Sequence, residues 1–414
     1  MNRDGTVAAI DVGTTKVCTA VAETMRDGGL RILGVGVTPS AGLTKGMVEN
    51  IHEATEAIVD SVQKAERSSG LRIISAYVGI AGHHIQSVAH RGVATIPGHL
   101  RPIAREDVDR VHDNAKALDL PQSREILHIL PRYYLVDGQE HVRNPLGMYG
   151  QRLDVEAQVV TGSLNAIHNL MRCVEGAGVQ VEQLVLAPLA SATAVLEEEE
   201  RRQGVILADI GGGTTDIAIF LDGALHHTAV LPVGGNHLTH DLVAGLRAPF
   251  NAAEAAKALY GHALAQRVDP EEEVEFESFG SQQRKVTSRR RLCEILQARA
   301  EEILEMILIE VKRAGYIDRV AAGLVLTGGT ARLRALDILA EDLLRLPARI
   351  GSPRDLYGLS EMLSSPAYAT SVGLLQWAAR EAQTAPAFIP QRLSFPFGQW
   401  LAWLGRWAKG LLPQ

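Results

Sequence analysis

At 414 residues the chain is too long for one simple core, so two or more packed domains are expected. With 46% apolar and 21% charged residues and a formal charge of −7, it reads as an ordinary folded protein and gives no reason to expect a nucleic-acid partner. Its three cysteines, Cys18, Cys173 and Cys293, are far apart and form no CxxC pair, so neither a zinc site nor a disulfide framework is suggested.

Residues 1–6 are polar and run straight into an apolar strand, without a signal-peptide core. No stretch approaches the roughly 20 apolar residues that span a bilayer. A reduced, cytoplasmic setting is expected, either free or attached to a membrane from the cytoplasmic side.

The apolar run 7–10, the turn-like 11–16 and the resumed run 17–21 predict strand, tight turn, strand. A strand over 30–38 follows. A helix over 51–68 carries Ile51, Ala54, Thr55, Ile58, Val62 and Ala65 on one face, and a strand covers 73–80. From about 84 to 161 the texture changes to short strands, a helix near 105–118 and the turn-rich Asn144-Pro145-Leu146-Gly147-Met148, which reads as an inserted α+β unit. A helix over 166–176 and a strand over 181–185 restore the α/β pattern.

Residues 205–210, 211–215 and 217–220 repeat the strand-turn-strand of the N-terminus. Asp11-Val12-Gly13-Thr14-Thr15 and Asp209-Ile210-Gly211-Gly212-Gly213-Thr214-Thr215 each set an aspartate, a small turn and two threonines between apolar strands. Two similar halves facing a shared cleft are expected. The polar 267–291 is acidic at 271–277 and basic at 284–291; it reads as a solvated hairpin or as a charge-binding patch. A helix over 293–314 and a strand over 323–327 come next. Gly328-Gly329-Thr330 then turns into a helix over 332–344, and a last helix ends near 380.

Glycine-rich turns between strands bring backbone N–H groups close to phosphate oxygens. Threonine hydroxyls add donors, and an aspartate at a strand end holds Mg²⁺ directly or through water. Asp11, Gly13, Thr14, Thr15 and Lys16 fit one such loop. Asp209, Gly211, Gly212, Gly213, Thr214 and Thr215 fit a second, and Gly328 and Gly329 begin a third. Each loop alone is an ordinary tight turn; the three together, in this order, are the signal. Neither a Walker motif nor a GxGxxG fingerprint is present.

These loops resemble those of the actin-like ATPase superfamily, which includes actin, DnaK-type chaperones and sugar kinases. The resemblance implies a two-lobed fold of duplicated ribonuclease H-like cores that binds ATP and Mg²⁺. It implies that Asp11 and Asp209 face Mg²⁺ and the phosphates, and that Gly328 and Gly329, with Gly235, pass by the nucleotide. Glu254 and Lys257 look like the helix pair that brackets the ribose and base; they also read as a surface i,i+3 ion pair.

Further stretches resemble the bacterial FtsA cell-division family. They are Gly46-Met47-Val48-Glu49-Asn50-Ile51, Tyr77-Val78-Gly79-Ile80-Ala81-Gly82-His83-His84-Ile85, Arg143-Asn144-Pro145-Leu146-Gly147-Met148, Leu231-Pro232-Val233-Gly234-Gly235-Asn236, 324–330 and Ser371-Val372-Gly373-Leu374-Leu375. The resemblance implies a first lobe of 1–83, 163–194 and 371–381 with an FtsA-type subdomain inserted at 84–162. It implies a second lobe of 195–232 and 323–370, capped by 233–322. The cap is where the family receives the C-terminal peptide of the tubulin-like FtsZ. Arg291 and Arg299 would meet that acidic peptide, or they are simply solvated. Self-assembly into filaments, other division proteins and a place on the cytoplasmic face of the membrane at the division site are also implied.

One residue departs from the hydrolytic pattern of the superfamily. Where a Glu or Gln orients the attacking water, Leu186-Ala187-Pro188 places an alanine, which cannot accept a proton. Slow hydrolysis is expected.

Residues 382–394 read as a linker and 395–414 as an amphipathic helix. Phe397, Trp400, Leu401, Trp403, Leu404, Trp407 and Leu411 fall on one half of a helical wheel, and Arg406 and Lys409 on the other. Three of the four tryptophans lie here, and no acidic residue follows Glu381. Sixteen helical residues are roughly 24 Å long, too short to span a bilayer. The pattern suits a helix lying in an anionic membrane surface; docking on the protein's own body or a partner is the alternative. A small-molecule kinase and the pilus-assembly PilM family share the body, but the kinase has no use for the tail, and PilM lacks the tail and this form of the inserted unit.

Overall fold

The computed structural model describes residues 5–25, 28–98, 101–279 and 285–384. It divides into two compact units, 1–379 and 380–414, and of the second only the helical residues 380–384 are described.

The first lobe is built on a six-stranded sheet. In spatial order its strands are Gln180–Leu186, Ser75–Ile80, Thr6–Val12, Lys16–Thr24, Leu30–Pro39 and Leu356–Gly358. Helix Ile51–Ser69 covers one face with Ala54, Ile58, Val62 and Ala65, the stripe its periodicity predicts. Asn50 caps its N-terminus by accepting from the backbone N–H groups of His52 and Glu53, and Gly70, in the left-handed region, ends it.

The second lobe repeats the plan in a five-stranded sheet of order Ala224–Leu231, Thr215–Leu221, Val205–Ile210, Leu324–Thr327 and Ala348–Ile350. Strand alternation shares Val205–Ile210 between two cores. Val205 and Leu207 join the first-lobe core, whereas Ile206, Ala208 and Ile210 face the core under the cap. Helix Arg289–Arg313 packs there through Leu292, Leu296, Ile303, Leu304 and Ile307.

The inserted unit is a four-stranded sheet of order Gln86–Thr95, Arg152–Ser163, Arg124–Val136 and Gln139–Val142, with helix Arg105–Ala115 on one face. The expected hairpin also forms, Glu273–Phe276 pairing antiparallel with Lys285–Ser288, and Arg289 closes on Glu272 beside it.

Three expectations need correction. The expected second lobe includes residues 356–358, but Leu356–Gly358 pairs in parallel with Leu30–Pro39 and extends the first-lobe sheet. The helix expected over 332–344 starts only at Leu336. Gly329–Arg332 forms a 3₁₀ turn, and Arg334 is held extended by a bridge to His262, so its carbonyl accepts from the Ala263 N–H at 2.8 Å. The last helix, Ala369–Thr384, runs past the expected end at 380 into the stretch read as a linker. The rest of that stretch and the tail lie outside the described residues.

Candidate nucleotide site

The two strand-turn-strand motifs share one backbone pattern. Asp11 pairs across its hairpin with Cys18, and Asp209 pairs with Asp216. The Gly13 N–H donates to the Lys16 carbonyl at 3.0 Å, and the Gly211 N–H donates to the Thr214 carbonyl at 2.9 Å. The loops are therefore equal in length, and Thr14-Thr15 corresponds to Gly212-Gly213. The threonine pairs, which look equivalent in the sequence, are not. Thr215 is fully buried and donates to the Val233 carbonyl, so it holds the strand and not a ligand. Gly213 faces the Thr14 side chain.

The tips of the loops meet across a cleft of about 370 Å³. Asp11, Gly13, Thr14, Thr15, Lys16, Asp209, Gly211, Gly212, Thr214, Gly235, Glu254, Lys257, Gly328 and Gly329 all line it; Gly213 and Thr215 do not. The Lys16 ammonium reaches the Ala367 carbonyl at 2.6 Å and lies 4.6 Å from the Tyr368 ring centre. Gly328 requires its lack of a side chain. Its φ is +86°, and a Cβ there would sit 2.4 Å from Asp209 Oδ1 and 2.5 Å from the Ile210 carbonyl oxygen.

Three carboxyl groups converge on the floor. Asp11 accepts from the Ser371 hydroxyl at 3.0 Å, and Asp209 accepts from the Ser191 and Thr370 hydroxyls. Burial pushes both carboxyls above the usual range. Asp216 is pushed up to about 8, by burial first and by the neighbouring Asp209 second, and its Oδ1 has no partner among the described residues. A cation bound nearby would favour their ionised forms. No group of three or more acidic, histidine or cysteine side chains among the described residues could hold an ion by itself. Mg²⁺ held largely by water and phosphate oxygens fits; a closed protein cage does not.

Lys257 and Glu254 do form an i,i+3 pair, at 2.7 Å, but not a detached surface pair. The Lys257 ammonium also donates to the Gly235 carbonyl at 3.0 Å and to Thr239 Oγ1 at 2.8 Å, tying the cap helix to a cleft turn. Its pKa is lowered by burial, against the pull of Glu254. Ala187 opens helix Ala187–Val195 beside the cleft, its methyl group buried.

Asp216, Asn236, Thr330 and Thr370 line the cleft as well, and the sequence reading missed them. Asp216 directly follows the Thr214-Thr215 pair and was visible; Thr370, far along the chain, carried no local signal. Outside the cleft, Arg299 is engaged through Nε and a terminal nitrogen by Asp241, at 2.6 and 3.1 Å, and by Glu302, so its guanidinium is already neutralised. Arg291 is exposed and makes no ion pair among the described residues. Phe397, Trp400, Leu401, Trp403, Leu404, Arg406, Trp407, Lys409 and Leu411 lie outside them.

Comparison with known proteins decides the family. A family model described as cell division protein FtsA matches residues 206–373, and one described as the SHS2 domain inserted in FTSA matches 82–161. The cell division protein FtsA of Pseudomonas aeruginosa is 40% identical over 408 residues, 98% of this chain and 97% of that protein. The chain belongs to the FtsA cell-division family. The FtsA of Neisseria meningitidis is 39% identical over 90% of each chain, and that of Escherichia coli K12 33% identical over 97% of each. The second model coincides with the four-stranded insertion.

Solved structures give the fold. A PilM–PilN type IV pilus biogenesis complex aligns with TM-score 0.64 at 16% identity, over 90% of this chain and 98% of that one. MreB5 of Spiroplasma citri bound to AMPPNP aligns with TM-score 0.53 at 15% identity, over 92% and 98%. The fold of this FtsA-family chain is thus actin-like, two lobes with an inserted SHS2 subdomain. Among the described residues no helix is long and apolar enough to cross a membrane.

Proposed function

We propose that this FtsA-family protein binds Mg–ATP in the cleft, polymerises as an actin-like filament and tethers FtsZ filaments to the cytoplasmic membrane at the division site. The observation that carries the nucleotide part is the pairing of Asp11 with Asp209. They sit at matching positions of two equal-length turns, Asp209 buried and Asp11 half-buried, both above the ordinary carboxylate range and both lining a glycine-walled cleft. The solved MreB5 structures hold AMPPNP and ADP. Hydrolysis is slow in this reading, because Ala187 presents only a methyl group where a water-orienting side chain would stand.

The cap would receive the FtsZ C-terminal peptide, with Arg291 the more available of the two arginines considered. Residues 395–414 would bind anionic lipid reversibly as single copies and firmly as arrays along a filament. Co-sedimentation with anionic vesicles tests the tether. The full chain should carry an FtsZ tail peptide into the pellet, and removal of 395–414 should leave both in the supernatant. Pelleting of the truncated chain at the full level would overturn the anchor.

A further inference from the structure

The inserted subdomain emerges from the first lobe but touches both. The first-lobe sheet ends at strand Gln180–Leu186, and the second-lobe sheet ends at strand Ala224–Leu231. Both edges meet the inserted strand Arg124–Val136.

Toward the first lobe, His128 Nε2 accepts from the Leu186 N–H at 3.0 Å. Burial pushes this imidazole down to about 4, so it is neutral and free to accept. Trp377 packs edge-on against the ring, with centroids 5.8 Å apart. Leu186 immediately precedes Ala187 at the cleft wall.

Toward the second lobe, the Arg132 guanidinium donates to the His226 carbonyl, and Ser87 of strand Gln86–Thr95, two places away in the same sheet, donates to the Thr228 carbonyl at 3.2 Å. Gln158 steadies Arg132 from within the subdomain.

The register explains why this strand reaches both ways. Tyr133 pairs with Glu156 and Pro131 with Ala157, so Arg132 is an extra residue at a bulge. A second irregularity skips Leu127, next to His128. Bulges re-aim side chains and locally raise the twist. Here each bulge sits beside the side chain that leaves the subdomain.

We infer that strand Arg124–Val136 is an interlobe splint, through which the setting of the two lobes around the cleft is passed to the inserted subdomain. His128 and Arg132 are its positioning residues; neither lines the cleft. Four residues of strand span roughly 13 Å and stretch very little. Rotation of one lobe against the other must therefore tilt the subdomain or break the Arg132 or His128 contact. The cleft end of this inference rests on the nucleotide reading above.

Hydrogen–deuterium exchange of the full chain, with and without Mg²⁺ and AMPPNP, tests it. In the unaltered protein the analogue should slow exchange at both loops, 11–16 and 209–215. It should also change exchange in 86–95 and 124–136 by about twofold or more. Arg132→Ala combined with Ser87→Ala should keep the loop response and lose the subdomain response, and Arg132→Lys should restore part of it. Thermal melting of each variant checks that it folds, and Ser87→Ala alone is the milder form should the double variant not fold. Loop protection with a silent subdomain, or a subdomain response that survives Arg132→Ala with Ser87→Ala, would overturn the splint and leave the nucleotide reading standing. Silent loops would overturn both.

Discussion

Thr15 and Gly212 meet at the tips of the two loops: a Cβ on Gly212 would lie 2.0 Å from Thr15 Oγ1. The first loop carries side chains at its tip and the second carries none. The fit depends on that asymmetry, because two threonine-tipped loops of this length could not close on one cleft.

Gly212→Ala should therefore force the loops apart. Overpacking of this kind costs about 1–3 kcal/mol, which is roughly tenfold in affinity when a ligand must restore the geometry. Titration with a fluorescent ATP analogue measures it. Adding Thr15→Ala to the same chain should recover most of the loss. If the double variant binds no better than Gly212→Ala, the contact is not the cause.

Gly328→Ala should harm both fold and site. The positive φ alone costs about 1–3 kcal/mol, and the new methyl group would press on Asp209 Oδ1. A fall of several degrees in melting temperature, with loss of analogue binding, is the expected pair of results. Gly329→Ala, where a Cβ would meet nothing within 4 Å, should leave stability nearly unchanged.

Asp216 makes the ligand-free protein sensitive to pH. Its folded pKa is raised above the ordinary value, to about 8. The folded state thus holds a proton that the unfolded chain releases near pH 4. The stability this contributes is fully present below the unfolded pKa and is lost as pH rises from about 4 to about 8. Asp11 and Asp209 act in the same direction. Asp216→Asn should flatten the decline in denaturant midpoint across that window. A decline as steep as in the unaltered protein would show that Asp216 does not titrate there.

Ala187 bears on turnover. Steady-state phosphate release should be slow even at saturating Mg–ATP. Turnover comparable to that of a dedicated ATPase, abolished by Asp209→Ala, would show that another group orients the water.

The lobes, the insertion and most of the cleft were legible because each rests on local chemistry. Apolar runs alternate with glycine turns, and the inserted unit breaks the α/β rhythm. What was not legible depends on pairing across the chain. Thr14-Thr15 and Thr214-Thr215 look alike as letters, and only the pairing of Asp11 with Cys18 and of Asp209 with Asp216 shows that they sit one turn-half apart. The short strand Leu356–Gly358 has no pattern to say which sheet it joins; its register with Leu30–Pro39 decides that. Arg299 reads as a free cation until Asp241, from another helix, is found against it. The interlobe contacts of His128 and Arg132 gave no sign at all, since each leaves the subdomain to bond to a backbone atom and so has no complementary residue type across the lobes to recognise.

The most direct test of the central claim is equilibrium binding of ATP to the full chain with Mg²⁺, set beside Asp11→Ala and Asp209→Ala. Saturable one-site binding that falls at least about tenfold in each variant, while their melting temperatures stay close to that of the unaltered protein, is the expected result. Absence of binding, or binding that both substitutions leave unchanged, would contradict the assignment of this cleft.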